Sequence, residues 1–183
     1  MLDTSVTEEA CPNNLAPTSS TAAQMAMGDA IAVCLLDLRG FSAKDFAMYH
    51  PGGSLGKKLY LKVKDIYPNN AAPEVKPEDD IKKVIVEISS NRLGAAAVVS
   101  KGKILGIVTD GDLRRMLLTK KSLEGIKAKN IMNPNPKCSD KETMAVDALN
   151  LMKEHNISQL LITEKGKYLG MIHLHDLIRE GII

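Results

Sequence analysis

Gly106-Ile107-Val108-Thr109-Asp110-Gly111-Asp112-Leu113-Arg114-Arg115 reads as the end of a strand that turns directly into a helix. With Thr109 as N-cap, Asp112 falls at the third helical position. The two then form a T-x-x-D capping box that satisfies orphan amides of the first turn. The same geometry aims a hydroxyl, a carboxylate and free helix N–H groups at one spot, a combination suited to an anion with a ribose attached. The pattern returns 64 residues later as Gly170-Met171-Ile172-His173-Leu174-His175-Asp176-Leu177. A recurrence in such detail marks an internal repeat.

From about Val84 onward the two copies align at that offset without a gap. Ile81, Val84, Ile85 and Ile88 recur at helical spacing, as do Ala145, Ala148, Leu149 and Met152. Strands are expected over Ala95–Val99 and Gln159–Thr163. Lys101-Gly102-Lys103 and Lys165-Gly166-Lys167 are hairpin turns into second strands, Ile104–Val108 and Tyr168–Ile172. Before each helix lies a basic lead-in with an apolar anchor and a Pro/Asn turn, Lys62–Pro68 and Ile126–Pro134. Acidic helix starts follow, at Glu78-Asp79-Asp80 and in a capping box over Ser139-Asp140-Lys141-Glu142. The expectation is two β-α-β-β-α modules, 62–122 and 126–183. Neither is large enough to hide its sheet alone, so they should pack as a pseudo-twofold pair.

Residues 1–61 are of a different kind. Leu2–Thr7 has the composition of a short strand, and Cys11–Pro17 is a loop broken by two prolines. A helix is expected from about Ala22 to Arg39, ended by Gly40. Ala22, Ala26 and Ala30 give it one small-residue face, either for close approach of another backbone or because alanine forms helices well. The apolar run Ala30–Leu36 predicts that this helix is buried. His50-Pro51-Gly52-Gly53-Ser54-Leu55-Gly56-Lys57-Lys58 is glycine-rich but no nucleotide P-loop, because Pro51 and Lys58 stand where that motif needs Gly and Ser/Thr.

Composition narrows the function. A net charge of +2, with no long Lys/Arg block, gives no case for nucleic acid. Cys11, Cys34 and Cys138 are odd in number and widely spaced. They match no zinc pattern and read as reduced thiols of a cytoplasmic protein. The longest apolar run, Ala30–Leu36, is too short for a membrane span, and the acidic N-terminus is unlike a signal peptide. No metal set is convincing, since only His173-x-His175 is close, and His155 and His175 read as exposed.

Several stretches resemble a known family: Glu9-Ala10-Cys11-Pro12, Leu15–Thr21, Met27–Ala30, Arg39-Gly40-Phe41 and His50–Gly53 with Leu55 and Gly56. They look like the end of a sugar-isomerase (SIS) domain, more narrowly that of the D-arabinose 5-phosphate isomerases, whose SIS domain precedes two cystathionine-β-synthase-type (CBS) modules. The resemblance covers essentially the whole chain. It implies an α/β fold: the tail of a SIS-type parallel αβα sandwich over 1–61, then a tandem CBS pair. It implies aldose–ketose isomerisation of D-arabinose 5-phosphate and D-ribulose 5-phosphate, in 3-deoxy-manno-octulosonate synthesis for lipopolysaccharide or capsule. No cofactor or metal is implied. Glu9 and His50 match the family's acid/base residues, and a carboxylate with an imidazole can divide proton transfer through an enediol. Read without the resemblance, both are ordinary loop residues. Thr18, Ser19 and Ser20 are the substrate-binding candidates, and they also serve as N-cap candidates. The family's early strands, phosphate loop, lysine and second glutamate have no counterpart, so the chain looks N-terminally truncated and inactive alone. A homotetramer is the implied assembly.

CBS pairs commonly hold adenosine-type ligands, the Thr of G-x-x-T-x-x-D on a phosphate and the Asp on the ribose. Thr109 and Asp112 match this pattern, with Arg114 or Arg115 as a phosphate partner. In the second copy Asp176 is kept but His173 replaces the threonine, which puts that cleft in doubt or makes it pH-sensitive. The expected effector is an adenine nucleotide or a nucleotide-sugar. The plainer alternative is that both aspartates only cap helices, leaving a nucleotide-free oligomerisation module.

Overall fold

The computed structural model describes residues 1–50, 53–119 and 122–182. Its contacts divide the chain into two units, Met1–Tyr49 and His50–Ile183. Pro51 and Gly52 of the glycine-rich loop lie outside the described residues.

The first unit holds α1 (Ser19–Leu38) and α2 (Ala43–Tyr49). Arg39 caps α1, and Gly40 follows in the left-handed region at φ +61°, as a helix stop requires. Two expectations fail here. Leu2–Thr7 forms no strand, because a strand needs a ladder partner and this stretch has none among the described residues. No residue of α1 is buried, and Met25, Val33 and Leu38 are exposed, because nothing among the described residues covers the helix. By length and composition α1 is also apolar enough to cross a membrane, with a mean hydropathy of 1.3. Asp29 sits at its centre, where a carboxylate in hydrocarbon costs about 3 kcal/mol.

The second unit begins with α3 (Ser54–Tyr60), tied by Lys57 to Glu180 at 2.8 Å. Two 3-10 turns, Val63–Asp65 and Tyr67–Asn69, then lead into two copies of one pattern. The first copy runs β1 (Glu74–Val75), α4 (Ile81–Asn91), β2 (Ala95–Ser100), β3 (Lys103–Thr109) and α5 (Asp110–Thr119). After α6 (Ala128–Ile131) the second runs β4 (Cys138–Asp140), α7 (Ala145–Glu154), β5 (Gln159–Glu164), β6 (Lys167–His173) and α8 (Leu174–Arg179). In each copy a short strand pairs parallel to the first long strand, which forms an antiparallel hairpin with the second. Among the described residues, strand pairing joins the two copies at Lys103 and Lys167, giving the order β1-β2-β3-β6-β5-β4. Asp80 caps α4 by accepting from the Lys82 amide. The box expected over Ser139–Glu142 does not form: Cys138–Asp140 is drawn into the sheet beside β5, and α7 starts later, after Met144.

Three apolar clusters hold this unit together. The alternation of β2 sends Ala96 and Val98 to the cluster under α4, and Ala95, Ala97 and Val99 to one shared with Leu161 and Met171 of the other copy. β2 is therefore buried on both faces, which accounts for its unbroken apolar run.

The lead-ins cross over. Val63 and Ile66 complete the core of the second copy, among Ala148, Leu149 and Ile172. Ile126 and Ala128 complete the core of the first. The backbone repeats the exchange: the Val63 amide donates to Thr143 O at 2.9 Å, and the Ile81 amide to Ile126 O at 3.0 Å. So do the charges. Lys62 and Lys64 grip Glu142 at 2.8 and 2.9 Å, while Lys127 and Lys129 grip Glu78. The Lys62 ammonium, ahead of Lys64, draws the Glu142 carboxyl down to about 2. At Gly106 a Cβ would stand 2.6 Å from Asn133 O, so the second lead-in approaches as closely as it does only because β3 carries glycine there.

Candidate functional site

Where the two copies meet, they enclose two related clefts. The first is built on the end of β3 and the start of α5. Thr109 caps the helix: its amide and hydroxyl donate to Asp112 Oδ2 at 2.8 and 2.6 Å. Asp112 Oδ1 accepts from Arg115 at 2.6 Å. Burial pushes the Asp112 carboxyl up, but the Thr109 hydroxyl and amide and the Arg115 guanidinium outweigh it, and it stays below the usual range. Around this trio lies a cavity of about 300 Å³ that also meets Asn133, Lys137, His155 and Gln159. A hydroxyl, a carboxylate, a guanidinium and a lysine thus share one opening beside Ile107 and Ile157. Polar groups gathered next to a small apolar wall suit a ligand with a base, a ribose and a phosphate.

The second cleft is built on the end of β6 and the start of α8, with a cavity of about 490 Å³. His173 is the cap, its Nδ1 accepting from the His175 amide at 3.1 Å. Burial, then the neighbouring His175, lowers its pKa, while Asp176 pulls the other way. Asp176 Oδ2 accepts from the His173 amide and from Asn70 Nδ2, both at 2.7 Å. The Asn70 amide also donates to Met171 O at 3.1 Å, which fixes it from both sides. Asp176 is 7% exposed. Arg92, Asp110 and Arg179 line the same space.

Of the candidate nucleotide residues, the structure brings Thr109 and Asp112 into one cleft and His173 and Asp176 into the other. Arg114 is in neither: its Nε donates to Asp110 O at 3.3 Å on the exposed face of α5. Arg115, one residue on, faces the cleft, because the third position after Asp112 lies on the same helix face and the second does not. Sequence reasoning passed over Asn70, Gln159 and the cleft position of His155. Asn70 had a signal in the repeated Asn/Pro turn, but its partner is far along the chain.

The remaining candidates sit elsewhere. Glu9 Oε2 accepts from the Thr18 amide and hydroxyl at 2.7 and 3.0 Å and from the Ser20 amide at 3.2 Å. The Ser20 hydroxyl, then the Thr18 amide, brings its carboxyl down to about 2. Glu9 therefore acts as the cap of α1, a role Thr18 leaves open because its own side chain makes no cap bond. Ser19 opens the helix. His50 begins the second unit, its carbonyl accepting from the Gly53 amide at 3.2 Å.

A pair of β-α-β-β-α modules with clefts at their junction defines a class, and the comparisons agree. The model described as "CBS domain" matches residues 63–119 and 128–182, so the chain belongs to the CBS-domain family. Over 97% of its length it is 46% identical to the arabinose 5-phosphate isomerase KdsD of Francisella tularensis, and 43% identical to that of Salmonella typhi. It spans 55% of each, about half the length of the curated relatives it matches. Among solved structures, a CBS domain aligns with 67% of the chain and 98% of its own, at TM-score 0.61 and 22% identity. A CBS-domain protein from Pyrobaculum aerophilum, complexed with AMP, aligns with 63% of the chain and 89% of its own, at TM-score 0.58 and 21% identity.

Proposed function

We propose that this chain is the regulatory CBS pair, with an adjoining SIS portion over 1–61, of a cytoplasmic D-arabinose 5-phosphate isomerase. The pair takes a ribose-bearing effector, an adenine nucleotide or a nucleotide-sugar, in the threonine cleft. The observation that carries the ligand reading is the Thr109–Asp112–Arg115 cluster, open on a cavity that also holds Lys137. Asp112 Oδ1 is held only by the well-exposed Arg115, so ribose hydroxyls can replace that bond at small cost. The Thr109 hydroxyl, which donates to Asp112 Oδ2 at 2.6 Å, reaches a phosphate by exchanging that bond. The AMP complex of a fold neighbour supports the choice of ligand.

The isomerase context rests on the likeness to KdsD along 97% of the chain. Within it Glu9 and His50 are the proposed acid/base pair, Thr18, Ser19 and Ser20 the sugar-phosphate contacts, and a homotetramer the assembly. A carboxyl drawn down to about 2 is a weak base, so Glu9 can serve only when a substrate displaces the amides that now hold it. Reading the frame upstream of the Met1 codon tests this part. A continuous frame encoding a Ser/Thr-rich loop and a lysine-bearing helix supports it; an in-frame stop there favours a ligand sensor without chemistry.

The effector is tested by thermal shift with AMP, ATP and a cytidine-linked sugar. A ligand at a hundredfold over its Kd stabilises by about 2.7 kcal/mol. The shift should vanish in Asp112→Ala. No shift with any of them at saturation would leave the pair as an oligomerisation module.

A further inference from the structure

The two Lys-Gly-Lys hairpins are left unexplained by the clefts. Each makes a tight turn with two left-handed residues, Lys101 and Gly102 at φ +52° and +77°, and Lys165 and Gly166 at +49° and +78°. Such turns favour Asn or Asp before the glycine, so the turn itself gives no reason for lysine. The fold then brings the hairpins together. Lys103 pairs directly with Lys167, and the Tyr168 amide donates to Gly102 O at 3.2 Å. Like charges directly opposite on neighbouring strands oppose pairing. Yet among the described residues this is where strand pairing joins the two copies.

A cavity of about 540 Å³ opens between the hairpins. Lys101, Lys103, Lys165 and Lys167 line it with Ile104, Cys138 and Thr163, and no carboxylate does. Glu164, the acid opposite Lys167 on β5, is turned to Lys141 at 2.6 Å. Lys101 also borders a separate hollow with Glu74 and Asp79, and Asp79 is engaged by Lys83 at 2.8 Å. Four lysines from both copies therefore line one space, and of the acids beside it Glu164 and Asp79 are engaged by other lysines. A ligand with several adjoining negative charges would offset the repulsion of all four lysines, where a small anion would meet only some of them.

We propose that the paired hairpins form a polyphosphate site, which takes a linear phosphate chain such as pyrophosphate or tripolyphosphate and is separate from the threonine cleft. The ligand bridges the two copies where Lys103 pairs with Lys167, so its binding stiffens the pair.

The test is calorimetry on the whole chain with sodium tripolyphosphate, against orthophosphate and sulfate at matched ionic strength. Tripolyphosphate should bind one per chain and at least about tenfold tighter than either small anion, the gap expected when several charges are met at once. It should weaken steeply as salt is raised. Lys103→Gln/Lys167→Gln should lose the binding, and Lys101→Gln/Lys165→Gln should weaken it. Thr109→Ala should leave it intact. Both lysine variants should match or exceed the wild-type urea midpoint without ligand, since opposed like charges are being removed. Equal affinity for orthophosphate would overturn the proposal. So would unchanged tripolyphosphate binding in the Lys103/Lys167 variant, or its loss in Thr109→Ala, which would move the anion to the cleft. Retention on vesicles of anionic lipid that tripolyphosphate fails to compete would also overturn it, making the hairpins a membrane contact.

Discussion

The threonine and histidine clefts descend from one repeated pattern and keep the same aspartate, yet that aspartate holds different things. Asp112 holds its own threonine and one exposed arginine, partners that a ligand can exchange. Asp176 has an exposed arginine of its own, Arg179 at 3.5 Å, but its other oxygen also holds Asn70, which follows the crossed-over lead-in and is itself tied to β6. One carboxylate is arranged for binding and the other for structure. A matching motif in two copies of a repeat therefore does not mean two equal sites; what decides is who already occupies the acceptor.

The largest expected difference is in affinity. Charge-assisted bonds from two ribose hydroxyls together contribute about 3 kcal/mol, so Asp112→Ala should weaken nucleotide binding by about a hundredfold or more. Asp176→Ala, titrated by calorimetry in parallel, should change it by less than about threefold, well under 1 kcal/mol. Equal losses in the two variants would break the comparison. Stability should run the other way. Removing the Asp176 carboxylate leaves the His173 N–H without an acceptor and the part-buried Asn70 amide with Met171 O alone, at a cost of about 3 kcal/mol in urea unfolding. Asp112→Ala loses chiefly a helix cap, about 1 kcal/mol.

Converting one cleft into the other sharpens the contrast. Asn70→Ala with His173→Thr frees Asp176 and restores the threonine, so calorimetric stoichiometry should rise from one nucleotide per chain to two. A ratio that stays at one would mean that Arg92, Asp110 and Arg179 exclude the ligand on their own. The smallest effect is in pH. His173 has a lowered pKa in the fold, so the unfolded chain takes up the proton first. Its contribution is therefore complete above the ordinary histidine value of 6.5 and is lost as pH falls through the lower, folded one. Protonation also removes Nδ1 as the cap acceptor. The urea midpoint should fall more between about pH 7.5 and 5 in the wild type than in His173→Thr. Parallel pH profiles would remove His173 from the account.

The parts of this arrangement that were legible in the sequence are those set by neighbours along the chain. The repeat, the hairpins and the Thr109–Asp112 box each follow from residues within a few positions of one another. What escaped depends on distant partners. Arg114 and Arg115 differ only in which helix face meets the other copy. Ser139 to Glu142 reads as a capping box until β5 offers Cys138–Asp140 a parallel ladder. Asn70 reaches a carboxylate 106 residues ahead. The apolar stretch of α1 reads as buried, but burial belongs to a pair of surfaces, and the chain by itself supplies one.

The exchanged lead-ins bear on how the pair comes apart. Each copy's core is closed by an arm anchored ahead of the other, so a cut within Ser122–Gly125 would not release two independent domains. The fragments would stay clasped, each holding the other's missing piece, and only denaturant would part them. The linker between the copies is in that sense mechanically redundant. The pair should melt in one transition whether that loop is whole or nicked.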